Sequence, residues 1–288
     1  MIAGAEVVAV RVGGVRLTGH ASGSGRPLVL VHGLGGSSRH LLPTMRRLDS
    51  ERCIALDLPG FGGSGIASLP FSLDRSSDVL ARAIIELGLA RPIVVGHSFG
   101  AAAALRLAAR HPALASALVL VGPTGLVATP PATRRRLTRA TAIHARVVRS
   151  PIRLEGLVAR SRQARRLLLR ELVSDPAAIS PETFRMLLEE SAKARQLPSA
   201  AVAAIGDLVD GDAERCAVPV GAIWGSHDLI SGAAERARLS ATVPRATITR
   251  LPGLGHVPQL EDPVRFADAL RELVARLAVP IGYAHPDG

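Results

Sequence analysis

The chain is poor in several things at once. Phe, Trp and Tyr make up 2% of its 288 residues, with a single Trp and a single Tyr. So few rings provide no stacking platform for single-stranded nucleic acid, which argues against nucleic acid as a partner. Two cysteines, Cys53 and Cys216, cannot build a disulfide framework. In strand-like surroundings they read as buried free thiols, which suits a reducing, cytoplasmic location. No 20-residue apolar stretch is free of Pro, Gly and charge, so no transmembrane segment is expected. Met1 to Val10 carries no basic run ahead of its short apolar stretch, and no signal peptide is read there. There is no H-E-x-x-H and no Cys/His cluster. Gly33 to Gly36 lacks the Lys-Ser/Thr ending of a phosphate loop. No metal and no cofactor is expected.

Lysine is scarcer still, with Lys193 the one example, yet the formal net charge is +11. Twelve arginines and one acid, Glu155, lie between Arg134 and Arg170, so that stretch accounts for the whole excess. The bases and acids elsewhere cancel at 23 each. The protein is therefore a neutral body with a basic segment.

Along the chain, apolar runs of strand length alternate with helical spacing. Val7 to Arg11 and Val15 to His20 flank Gly13-Gly14, a hairpin signal. Leu28 to His32, Cys53 to Leu56, Ile93 to Val95, Ala117 to Val121, Val218 to Trp224 and Ala246 to Leu251 read as buried strands. Leu41 to Leu48, Ser76 to Leu87, Phe99 to Arg110 and Pro263 to Leu277 read as helices. Between Ala132 and Asp210 the pattern is helical throughout, broken at Ser150-Pro151, Asp175-Pro176, Ser180-Pro181 and Leu197-Pro198. This predicts four helices and no strand.

Such alternation implies an α/β fold, a mostly parallel sheet with helices on both faces. Residues 1–130 and 211–288 would form the core domain, and 131–210 an Arg-rich helical lid. Ligand sites in these sheets lie beyond the carboxyl ends of the strands. His32, Asp57, Ser98, Gly122, Asp228 and His256 all fall at or just after such ends.

Gly96-His97-Ser98-Phe99-Gly100 lies between the Ile93 strand and the Phe99 helix. A G-x-S-x-G turn in that setting puts a serine hydroxyl on a strained, exposed corner at a helix N-terminus. Serine is a weak nucleophile and needs a base with an orienting partner. His256, in the turn Gly253 to Pro258 after the last strand, is the candidate base. Asp228, closing Trp224 to Asp228 after the preceding strand, is the candidate acid. The order Ser, Asp, His suits this architecture. The backbone N–H groups of Phe99 and Leu34 are the candidate oxyanion donors. His32, Gly33 and His97 are expected to line the substrate pocket. His20, His111, His144 and His285 read as surface histidines.

These residues together resemble the α/β-hydrolase family, over residues 7 to 278. The resemblance rests on His32-Gly33 with Gly35-Gly36, Asp57 with Gly60, Gly62 and Ser64, Gly96 to Gly100, Gly225 with Asp228, and Gly255-His256 with Pro258, Glu261 and Pro263. It implies the eight-stranded hydrolase sheet with a single helical lid, as in the serine esterase-like branch. It also implies Ser98 as nucleophile, Asp228 as acid and His256 as base, with Asp57 a structural turn. Ser98 argues against the dehalogenase and epoxide hydrolase branches, which carry aspartate there. Carbon–carbon bond hydrolases of meta-ring-fission products share the triad but often carry Trp after the histidine, where Val257 stands here; perhydrolases share it too.

The expected function is cleavage of carboxylic esters, thioesters or lactones of small to medium acyl groups through an acyl-enzyme. The alternatives are carbon–carbon hydrolysis, or a lyase, cyclase or ligand-binding protein on the same fold. The expected partner is a small-molecule acyl substrate. The basic lid would suit an acidic partner, such as an acyl carrier protein or a coenzyme A ester, or else form a solvated face.

Overall fold

The computed structural model describes residues 5–66, 71–129, 155–206 and 208–278, with isolated positions between 131 and 142. Eight strands form one sheet: β1 (Glu6–Val12), β2 (Val15–Ser22), β3 (Arg26–Val31), β4 (Glu51–Leu56), β5 (Ile93–His97), β6 (Ala117–Val121), β7 (Val220–Gly225) and β8 (Thr247–Leu251). Their spatial order is β1-β2-β4-β3-β5-β6-β7-β8. The β1–β2 and β2–β4 pairs are antiparallel and all the others parallel. This is the mostly parallel eight-stranded sheet expected from the sequence.

The central strands are mostly apolar, as suits strands with helices over both faces. Leu118 and Leu120 of β6 pack into one core with α2 (Leu73–Glu86) and α3 (Phe99–Arg110). Ala117, Val119 and Val121 alternate into the opposite core, with α1 (Leu42–Met45) and α11 (Pro263–Ala278). The period-two alternation of a strand thus feeds two cores at once.

Two expectations are corrected. The strand predicted from Val218 begins at Val220, because Pro219 has no N–H to give a ladder. Cys216 consequently sits in the turn between α8 (Asp210–Glu214) and β7, half-buried. Cys53 is buried, as expected.

Between β6 and α8 the described residues contain α4 (Glu155–Arg160), α5 (Arg162–Leu169), α6 (Pro181–Lys193) and α7 (Leu197–Gly206), and no strand. Ser161 and Ser180 cap α5 and α6 by accepting from the Ala164 and Thr183 N–H groups. Two elements complete the fold, α9 (Ala233–Thr242) after β7 and α10 (Pro258–Glu261) after β8. Arg136, Arg146, Arg149, Arg153, His144, Asp207, His285 and the Ser150-Pro151 break lie outside the described residues. Among the described residues no helix is long and apolar enough to cross a membrane.

The helices of this insert pack at the carboxyl edge of the sheet. Leu169, Val173, Ile179, Phe184 and Leu188 form an apolar cluster with Val257 and Leu260, the neighbours of His256.

Candidate active site

The Gly96 to Gly100 turn is tight for a steric reason. A Cβ at Gly96 would stand 2.3 Å from the Gly100 carbonyl oxygen, and one at Gly100 would stand 2.5 Å from that of Val31. Only with both glycines can α3 leave β5 so abruptly. Ser98 at the apex adopts φ 52° and ψ −115°. This strained conformation, rare for a residue with a side chain, is characteristic of functional corners. Its N–H bonds the Val121 carbonyl at 2.8 Å, which ties the corner to the end of β6. Ser98 is partly exposed between buried His97 and Phe99.

Asp228 and His256 meet beyond the ends of β7 and β8, the last two strands. The His256 Nδ1–H donates to Asp228 Oδ2 at 2.9 Å, with both side chains buried. The other carboxylate oxygen, Oδ1, accepts from the N–H groups of Ile230 (2.9 Å) and Ser231 (2.8 Å). With Nδ1 committed as donor, Nε2 is the nitrogen left to accept a proton. Gly122, at φ 48°, lets the β6 end approach this pair. A Cβ there would stand 2.9 Å from Asp228 Oδ2 and 3.1 Å from His256 Nδ1. Ser98 is thus joined to β6 one residue before the glycine that touches the Asp228–His256 pair. No hydrogen bond joins Ser98 Oγ to His256 among the described residues; side-chain hydrogen bonds of this kind often tighten only when a ligand binds.

The third contributor is the loop after β3. Leu34 N–H makes no hydrogen bond within the described residues. Phe99 opens α3, so its N–H has no partner inside the helix. These two donors lie on loops packed together, since a Cβ at Gly33 would come within 3.1 Å of the Ser98 Cβ. His32 holds that loop. Its Nδ1–H donates to the Gly33 carbonyl at 2.7 Å, and its Nε2 accepts from Leu58 N–H at 3.0 Å. Both ring nitrogens are spent on backbone, so His32 has none left for a ligand. Burial holds its pKa below the usual histidine value, opposed by Asp57 and the Gly33 carbonyl. Asp57 accepts from Thr18 Oγ1, Ser38 N–H and Gly63 N–H, and so braces the same region.

His97 lies between the loop and the base. Its Nε2–H donates to the His256 carbonyl at 2.8 Å, and the two rings stand 4.9 Å apart. Burial, and then the nearby His256, push its pKa well below the ordinary value, so it is neutral near pH 7. Gly33 gives it room, as a Cβ there would stand 2.8 Å from His97 Nδ1.

Several residues that shape this site carry no local sequence signal. Ser231 is fully buried; it accepts from Trp224 Nε1–H, donates to the Pro123 carbonyl, and offers its N–H to Asp228. Glu235 accepts from the Gly125, Leu126 and Val127 N–H groups, just where the chain leaves β6 for the insert. Burial pushes its pKa up to about 6. Glu190 of α6 is buried and receives Arg39 Nη1 (2.7 Å) and Lys193 Nζ (2.9 Å), which bridges the insert to the donor loop. Burial works against its charge, but the Lys193, Arg39 and Ser37 donors together hold its pKa below the ordinary value. His40 is buried beside this bridge, and burial lowers its pKa to about 4.

Among the described residues, no group of three or more His, Cys, Asp or Glu side chains could hold a metal ion.

Comparison with known proteins agrees with the fold. The sequence model of the alpha/beta hydrolase family matches residues 28–269. The chain belongs to that family. It is 31% identical over 246 residues to the dihydrolipoyllysine-residue acetyltransferase component of the acetoin cleaving system of Pseudomonas putida, covering 82% of this chain and 60% of that protein. It is 35% identical over 130 residues to the 2-hydroxymuconate semialdehyde hydrolase of Pseudomonas sp. strain CF600, covering 43% of this chain and 44% of that one. The chain thus spans less than two thirds of the length of these relatives. Among solved structures, an esterase from Thermogutta terrifontis superposes with a TM-score of 0.75 at 23% identity, over 94% of this chain and 99% of its own. That likeness concerns the fold.

Proposed function

We propose that this protein is a serine hydrolase that cleaves carboxylic esters, thioesters or lactones of small to medium acyl groups. The observation that carries the reading is the 2.9 Å Asp228–His256 pair beside a serine held at φ 52°. Ser98 Oγ attacks the acyl carbonyl carbon while His256 Nε2 takes its proton. The resulting oxyanion is met by the Phe99 and Leu34 N–H groups, reinforced by the N-terminus of α3. Collapse of the tetrahedral intermediate expels the leaving oxygen or sulfur, which receives the proton from His256. Water, deprotonated by the same nitrogen, then attacks the acyl-Ser98 ester. Its breakdown releases the acid and returns the proton to Ser98. Asp228 keeps the imidazole in the required tautomer throughout. His32 shapes the donor loop from behind, while His97 and Gly33 form part of the pocket wall.

In this reading residues 131–210 act as a lid over the site. Exposed arginines of the insert, Arg160, Arg162, Arg166 and Arg170, support an anionic acyl donor such as a coenzyme A ester or a substrate carried on an acyl carrier protein. The same catalytic groups suit a carbon–carbon bond hydrolase, a second reading favoured by the 35% identity to a 2-hydroxymuconate semialdehyde hydrolase.

A fluorophosphonate probe tests the first claim. Wild type is expected to be labelled at Ser98 and to turn over p-nitrophenyl esters; Ser98→Ala should do neither. A folded wild type that resists the probe would refute the assignment. Rapid loss of a meta-ring-fission dienoate chromophore, with slow ester turnover, would favour the second reading.

A further inference from the structure

We propose that Glu261 is a positioning residue for His256, and that it works by tying the helical insert to the turn that carries the histidine. This rests on His256 being the base.

Three successive N–H groups of that turn point at the insert or at Glu261. Gly255 N–H donates to Glu261 Oε1 at 2.8 Å. His256 N–H and Val257 N–H both donate to the Leu172 carbonyl, at 2.8 and 3.2 Å. The second Glu261 oxygen, Oε2, accepts from Ser174 N–H (2.8 Å) and from Ser174 Oγ–H (2.7 Å). One carboxylate therefore clamps the histidine turn with one oxygen and the insert with the other. The fit is close, since a Cβ on Gly255 would stand 2.8 Å from Ser174 N and 2.9 Å from Val173. Val173, Val257 and Leu260 seal the same seam with apolar contact.

Asp228 holds the His256 ring through Nδ1 alone, which fixes its tautomer and leaves its height above the sheet to the backbone. That height is set from three sides: by Leu172 at the N–H, by His97 at the carbonyl, and by Glu261 one residue earlier. Leu172 reaches the turn only while residues 172–174 stay docked, and Glu261 is what docks Ser174. The insert is in this way part of the support of the base as well as its cover. Misplacing a reacting group by an ångström can cost as much as a hundred-fold in rate.

The test uses the full-length protein, with active sites counted by fluorophosphonate labelling so that misfolded molecules drop out. In Glu261→Ala, kcat per labelled site on a p-nitrophenyl ester should fall about ten-fold with KM within about two-fold, as expected for lost positioning. The rate of Ser98 phosphonylation should fall in parallel. Glu261→Gln should be intermediate, because its amide oxygen can still accept from Gly255 N–H and its NH2 can donate to Ser174 Oγ. Unchanged kcat per labelled site in Glu261→Ala, with only a lowered melting temperature, would overturn the proposal. If the alanine variant does not fold, unchanged kcat in both Glu261→Gln and Ser174→Ala overturns it equally. A wild type that is not labelled at Ser98 overturns the underlying reading first, before any Glu261 variant is made.

Discussion

Asp228→Asn provides a sharp test because the structure dictates which way the amide must face. Oδ1 of Asp228 receives two backbone donors, Ile230 N–H and Ser231 N–H, at 2.9 and 2.8 Å. In the asparagine variant, only the amide oxygen can accept from them. Leaving two buried N–H groups facing an NH2 would cost about 1–3 kcal/mol for each unsatisfied group. The NH2 is therefore forced toward His256, where Oδ2 now sits at 2.9 Å from Nδ1. Nδ1 must then accept, so the proton moves to Nε2, and Nε2 can no longer take the Ser98 proton. The same tautomer inversion in a serine protease lowers kcat by about 10⁴, equivalent to about 5.4 kcal/mol of barrier. A drop of that order is expected here in kcat for a p-nitrophenyl ester, with KM little changed and the fold intact by circular dichroism. Asp228→Ala imposes no tautomer, and per folded molecule it should retain more activity than the asparagine variant. An Asp228→Asn enzyme within ten-fold of wild type would show that His256 does not act as the base in the tautomer inferred here.

Two further predictions rest on charge. His40 is buried with its pKa lowered to about 4, so the unfolded chain binds a proton here before the folded one does. Stability from this group is then fully present above pH 6.5 and falls as pH drops toward 4, by about 3 kcal/mol; chemical denaturation across this window should show the loss, and His40→Gln should make it shallower by that share, leaving the part due to His32 and His97, whose pKa values burial also lowers. If the insert's arginines steer anionic substrates, raising salt from about 20 to 300 mM should lower kcat/KM for an acyl-coenzyme A and spare a neutral ester, because screening shortens the field; equal salt response would remove the arginines from substrate capture.

The parts of this site that the sequence displayed are those whose cause is local. The elbow could be read because Gly96 and Gly100 flank Ser98 within one turn, between an unbroken apolar run and an alanine-rich helix. Asp228 and His256 could be read because each follows a strand within a few residues. His32 was expected to face the pocket, and its sequence position is adjacent to it. What occupies its Nε2 is the N–H of Leu58, a partner 26 residues away. Ser231 and Glu235 gave no signal for the same reason. Their partners Pro123 and Gly125 lie 108 and 110 residues earlier in the chain, and a serine or glutamate near a helix start is otherwise ordinary. Strand edges slipped where a proline intervened, as at Pro219.

The bridge at Glu190 has a practical consequence for studying this protein. Its exposed member, Lys193, is the one lysine in the sequence. Among the side chains of this sequence, amine-directed chemistry therefore has a single address. That address sits where the insert is anchored to the loop bearing Leu34. A fluorophore or spin label coupled there would report directly on whether the seam opens during turnover. Acylation of the same nitrogen would neutralise one of the two cations that hold Glu190, turning a labelling reaction into a perturbation of the seam itself.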